Sequence, residues 1–123
     1  MPPAIHIDIH TEYLADQSLP EANRFVFSYT ITLSNQGEES AQLISRHWII
    51  TDAQNATQEV QGMGVVGQQP HLAPGDRYTY TSGVVLPTAT GTMTGSYEMR
   101  SHSGETFQAP IPTFALIHPQ SLH

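Results

Sequence analysis

Residues 24–35 read RFVFSYTITLSN, and their polarity has a period of two: Phe25, Phe27, Tyr29, Ile31 and Leu33 alternate with Val26, Ser28, Thr30 and Thr32. Successive side chains of an extended chain leave on opposite faces, so this stretch predicts a strand with one face in a core. The same pattern spreads outward from it. Upstream, Ile5, Ile7 and Ile9 alternate with His6, Asp8 and His10; downstream, the run from Leu43 to Thr51 is β-branched and aromatic. Further strands are expected at Thr57–Gln61, Arg77–Ser82, Thr92–Arg100 and Thr106–Leu116. No window carries a helical stripe; SLPEANR is short and holds Pro20. Turn residues separate the runs at Asn35-Gln36-Gly37, Pro74-Gly75-Asp76 and Ser103-Gly104. The reading is an all-β sandwich of about seven antiparallel strands, with residues 1–123 as a single domain. Pro110 and Pro112 each delete a ladder donor, so the last strand is expected to be an edge or to switch sheets.

Composition narrows the function classes. The chain has 123 residues, a formal charge of −7, and four basic residues, all of them arginine. Such a field repels phosphodiesters and anionic lipid, so neither nucleic acid nor membrane is expected as a partner. There is no cysteine, hence no thiol nucleophile and no thiolate metal site, and a reducing compartment is suitable. The start MPPAIHIDIH has no leader pattern and no stretch approaches ~20 apolar residues, so a cytoplasmic location is expected.

Three groups of residues invite a chemical reading. In QGMGVVGQQPHLAPG, residues 61–75, Gly62, Gly64 and Gly67 have the spacing of a dinucleotide loop. That loop needs a helix N-terminus beyond it, but Gln69, Pro70 and then Pro74 follow, and no lysine exists to serve a phosphate loop. The glycines are therefore expected to serve backbone geometry. His6, Asp8 and His10 share a strand face and are weak metal candidates, because positions i and i+4 lie roughly 13 Å apart. His71, His102, His118 and His123 are expected to face water. Arg46 falls on the same strand face as Ile44, Trp48 and Ile50, so an apolar face must accept a guanidinium; a rim position, stacked on a ring or paired with a carboxylate, is expected. No nucleophile elbow or paired-carboxylate signature points to catalysis, and no cofactor is implied.

Several of these pieces together resemble the ApaG family of bacteria, also called CorD. They are Arg46-His47-Trp48 with Ile50-Thr51-Asp52, Gly64-Val65-Val66-Gly67 with Gln69-Pro70, Tyr80-Thr81-Ser82-Gly83, Gly95-Ser96-Tyr97 and Ile111-Pro112. The resemblance implies a fibronectin-III-like or immunoglobulin-like sandwich and a non-enzymatic role, linked in the family to cobalt resistance and magnesium efflux. It also marks Arg46, His47, Trp48, Gly62, Gly64, Gly67, Gln69 and Pro70 as the motif residues. Met63 and Gln68 stand where relatives often carry glutamate, which removes oxygen ligands a divalent cation would want. The function expected is protein recognition through an exposed strand edge, which could also pair two copies of the chain. The alternatives are weak cobalt or magnesium binding, and nucleotide or pyrophosphate binding or hydrolysis.

Overall fold

The structure, a computed structural model, describes residues 4–121. Eight strands follow one another: β1 (Ile5–Tyr13), β2 (Phe25–Asn35), β3 (Ala41–Asp52), β4 (Thr57–Met63), β5 (His71–Leu72), β6 (Arg77–Leu86), β7 (Thr90–Ser101) and β8 (Thr106–Ile117). All pairings are antiparallel. One sheet has the order β1-β2-β6; the other has β4-β3-β7-β8, with β5 beside the first residues of β3. Helix is confined to 3-10 turns at Ala15–Gln17, Pro20–Ala22 and Pro119–Ser121. The chain is thus an all-β sandwich. Seven long strands match the number read from the sequence, and β5, two residues long, is too short to have shown a period.

The founding stretch is the middle strand of the three-stranded sheet. Its inward residues Phe27, Ile31 and Leu33 are buried, against Trp48, Tyr97, Met93 and Met99 from the opposite sheet. Each fully buried side chain of this size contributes about 1.5–3 kcal/mol, which is why the alternation of β2 fixes its register as well as its face. β1 pairs along its whole length, Ile9 opposite Ile31, with His6, Asp8 and His10 outward. β8 is an edge strand, as Pro110 and Pro112 require; its ladder shifts between Met93–Phe114 and Gly95–Ile111, so the extra residue falls at Pro112–Thr113.

Two expectations need correction. β6 runs on past Ser82 to Leu86, because Gly83 pairs with Ser28 in an unbroken ladder. β3 does not alternate simply. Leu43 pairs with Met99 but Ser45 with Glu98, so Ile44 is the extra residue of a β-bulge and leaves the regular face shared by Arg46, Trp48 and Ile50.

The two long sides of the sandwich differ. On one, β1 lies against β8, and the end of that seam is filled by His118, edge-on to Tyr13 at 4.5 Å and to Phe25 at 5.6 Å. His118 is therefore a packing residue and does not simply face water; His71 and His102 are exposed, and His123 lies outside the described residues. On the other side the edges of β4 and β6 stand apart and leave a cleft of about 340 Å³.

Candidate functional site

The bulge in β3 organises the region around the motif residues. The carbonyl of Ile44 accepts two hydrogen bonds, from Gly64 N at 2.8 Å and Gln69 Nε2 at 2.9 Å. Leu43 N donates to Pro70 O at 3.0 Å, and Gln42 Nε2 to Gln69 O at 3.2 Å. Gly64, Gln69 and Pro70 thus clamp the bulge from the loop between β4 and β5, supplying partners a kinked strand cannot find in its own ladder. Within that loop Val65 and Gln68 exchange backbone hydrogen bonds of 2.8 and 2.9 Å around Val66 and Gly67, whose φ values are 48° and 77°. Two positive φ values in a two-residue loop make a type I′ hairpin. Gly64 has φ 66°, and a Cβ there would lie 2.4 Å from Gln68 O, so glycine is required by both conformation and space. Val66 is the unusual one: a β-branched residue in the left-handed region, and exposed.

Three N–H groups of this loop have partners within the chain. Its Gly64, Val65 and Gln68 N–H groups are already spent on backbone carbonyls, and a strand, β5, follows it. Arg46 does reach Gly64, but at its carbonyl. Nη1 donates to Met63 O at 3.2 Å and Gly64 O at 2.9 Å, so the guanidinium takes carbonyls where a ring or carboxylate was expected. A Cβ on Gly62 would lie 2.9 Å from Cζ, Nη1 and Nη2 alike, which means the guanidinium plane rests flat on Gly62. Nε and Nη2 make no hydrogen bond among the described residues, and Arg46 forms no ion pair among them.

Beside Arg46 the two sheets are joined by a polar strut. Tyr80 of β6 and Tyr97 of β7 are buried, and their hydroxyls meet at 2.5 Å. Burial pushes both phenols well above the usual tyrosine range, overriding the opposite pull of the Arg46 charge, so both stay neutral at any physiological pH. Next to them Trp48 packs edge-on to Tyr29 at 5.4 Å and Phe114 at 5.8 Å. Its Nε1 is the one buried side-chain nitrogen or oxygen among the described residues that has no hydrogen-bond partner. Trp48 and Arg46 both line the cleft between β4 and β6, together with Tyr29, Val60, Ser82 and Val84.

Arg46 and Gly62 also border a second concavity, which they share with His47. His47 points to the outer face of the five-stranded sheet, 3.2 Å from Glu59, at the side of this shallow polar concavity of about 470 Å³ where Ser45 meets Glu98 and Ser96 meets Gln108. His6 bonds Asp8 at 3.0 Å, while His10 turns to Glu12 at 3.4 Å, so the three metal candidates are not brought together. Among the described residues no three His, Asp or Glu side chains gather in a way that could hold a metal ion. Also among these residues, no helix is long and apolar enough to cross a membrane.

Tyr29 stood out in the sequence only as a core strand residue, and Tyr80, Ser82 and Tyr97 only through the family resemblance; none of them, nor Val84, was legible as part of a site. One signal was available: Leu43 and Trp48 are both large and apolar but an odd number apart, so a strand can bury both only through a bulge.

Residues 15–101 match the profile of the ApaG domain. The proteins named Protein ApaG from Pseudomonas paraeruginosa and Thiobacillus denitrificans are each 56% identical over 119 residues, covering 97% of this chain and 94% of theirs. The crystal structure of the putative ApaA protein from Bordetella pertussis superimposes with a TM-score of 0.94 at 47% identity, covering 97% of both chains.

Proposed function

The chain belongs to the ApaG domain family, and from that premise we propose that it is a non-enzymatic module that recognises a protein partner by strand addition at the free edge of β6. The observation that carries this is how unguarded that edge is. From Tyr78 to Leu86 the strand holds neither a charged residue nor a proline. The other edges are blunted: β8 by Pro110 and Pro112, β1 by Asp8 and Glu12 beside two histidines, β4 by Glu59. Natural sheets protect edges with such residues, and an edge left open along nine residues is a template for an extended segment. The interior polar groups support a binding role rather than turnover, since Tyr80 and Tyr97 are held neutral against each other. The absence of cysteine suits action in the cytoplasm. On this reading the cobalt and magnesium association of the family reflects the partner, not a metal held by this chain.

The test compares lysate capture by the wild type and by a Thr81→Lys/Val85→Lys variant, which places lysines on the outward face of β6. The wild type should retain a partner in stoichiometric amount and the variant should not. Equal capture by both, or no partner under several conditions, refutes the proposal. Light scattering at high concentration separates self-pairing from partner binding, since a chain that stays monomeric does not use the edge on itself.

A further inference from the structure

We propose that the cleft between β4 and β6 is a carboxylate site, occupied by an acidic side chain of an extended peptide laid along the edge of β6. This rests on β6 being the partner edge and goes beyond it by stating what the partner must present there. Of the polar groups lining the cleft that lack partners among the described residues, Arg46 and Trp48 can only donate, while Tyr29, Gln58 and Ser82 can donate or accept. Arg46 has Nη1 committed to two carbonyls, leaving the three hydrogens of Nε and Nη2. Trp48, whose side chain lines the cleft, has an unmatched Nε1–H that lies sealed beneath its surface, and the Tyr29 hydroxyl makes no hydrogen bond among the described residues. A guanidinium and an indole can only donate, so the complementary group is an acceptor, and a planar carboxylate matches the guanidinium edge.

Charge selects among acceptors. Arg46 is the single charged residue lining the cleft, whose remaining wall mixes the apolar side chains of Ile50, Val60, Val84 and Met93 with the polar ones of Gln58, Ser82 and Tyr29. One cation balances one carboxylate; a phosphate dianion would leave a net charge with no second cation in the cleft to balance it. The net charge of −7 opposes any anion at a distance. Beyond about 8 Å that repulsion is screened at physiological salt, while contact with Arg46 inside the cleft is not. Delivery follows from strand geometry. Ser82, Gly83 and Val84 of β6 form one lip of the cleft, so a segment paired to that edge sends every second side chain towards it. A volume of about 340 Å³ admits one such side chain and excludes a folded domain.

The chain has one tryptophan, so its nitrogen-15 spectrum holds a single indole N–H signal, that of Trp48. Four probes are titrated: a blocked seven-residue peptide of alternating valine and threonine with a central glutamate, its glutamine twin, sodium acetate and inorganic phosphate. Exchange of the β6 amides is followed in parallel. The glutamate peptide should bind at least about tenfold more tightly than its twin, move the indole signal and slow exchange along β6. Because Arg46→Lys removes the fork that clamps the loop, the main variant is Ser82→Glu, which leaves Arg46 intact and supplies a carboxylate in cis. It should abolish the preference for glutamate. If both peptides bind equally with β6 protected, the edge reading stands and the carboxylate inference falls. Acetate matching the glutamate peptide without β6 protection overturns the peptide as source, and phosphate binding more tightly than either overturns the carboxylate. If no probe binds, the inference fails outright.

Discussion

Removing the Tyr97 hydroxyl should cost more than removing both hydroxyls of the strut it forms with Tyr80. The two oxygens lie 2.5 Å apart, Tyr97 is 0% exposed and Tyr80 7%, and neither hydroxyl has another hydrogen-bond partner among the described residues. A hydrogen bond between neutral groups contributes only about 1 kcal/mol net, but a buried hydroxyl stripped of its partner carries its full desolvation penalty, about 1–3 kcal/mol. Tyr97→Phe leaves the Tyr80 hydroxyl in that position and Tyr80→Phe leaves that of Tyr97, so each single variant should lose about 1–3 kcal/mol. The double variant replaces two polar groups by well-packed rings and should lose about 1 kcal/mol or less, giving a coupling energy larger than a single loss. Urea unfolding at pH 7 measures all four proteins through the fluorescence of Trp48, which is 2% exposed and is the only tryptophan. Losses that simply add in the double variant would refute the strut.

The same pair makes a pH prediction whose sign is fixed by burial. Both folded-state phenols titrate above the ordinary value near 10, chiefly because burial disfavours the anion. Between the unfolded and the folded values the unfolded chain has lost protons that the folded chain keeps, so stability is whole below about pH 10 and falls above it. Each tyrosine adds about 1.4 kcal/mol per pH unit to that slope. The double Phe variant should lack this part of the decline, and an unchanged alkaline slope would refute the assignment.

Val66→Asn should stabilise the chain by about 1 kcal/mol in urea unfolding, because it relieves a β-branched residue at φ 48° and gives the hairpin the asparagine-glycine pair that type I′ turns favour. Gly64→Ala should destabilise by several times the ~1–2 kcal/mol expected of Gly67→Ala, since both add left-handed strain but only at Gly64 does the Cβ strike a backbone carbonyl, at 2.4 Å. Thermal melts of the wild type with ATP or NAD should show no shift, and a clear rise would return the glycine loop to the nucleotide readings. Calorimetry with cobalt and magnesium should give the same heats for the wild type and a His6→Ala/His10→Ala variant, because His6 and His10 are each turned to a different carboxylate.

The legible parts of this fold were those set by local alternation. β1 and β2 each turn one face to the core along their length, so period two alone gives the strand and its inward face. Pro110 and Pro112 announced an edge because a missing donor has the same effect in any sheet. Sites spread over both sheets were not legible. Tyr80 and Tyr97 are 17 residues apart on strands of different sheets, and nothing in the intervening sequence says that β6 crosses back to stack on β7. The cleft has the same character: its lips, β4 and β6, are edges only because of a strand order that depends on long-range pairing. β6 was also read as ending at Ser82, since Gly83 resembles a breaker until its partner Ser28 is known.

The bulge at Ile44 connects that illegibility to the site. Ala41 and Leu43 are 0% exposed, so the first part of β3 has its odd-numbered residues inward. Carried on without interruption, that parity would bury Ser45 and His47 and turn Arg46 and Trp48 to the outside. Exposing the indole alone would cost on the order of 3 kcal/mol, and the cleft would lose the donors that line it. One extra residue reverses the parity, so that Arg46, Trp48 and Ile50 share the inner face while His47 moves to the outer one. A bulge breaks ladder bonds, and Ile44 O is the group most in need of replacements; Gly64 N and Gln69 Nε2 supply them. The glycine and glutamine of the loop therefore act on the cleft at second hand: they hold the kink that points Arg46 inward, and Arg46 in turn fastens the loop through Met63 O and Gly64 O. Loop and strand hold each other in place, which is a physical reason for arginine, tryptophan, glycine and Gln69-Pro70 to occur together in one chain.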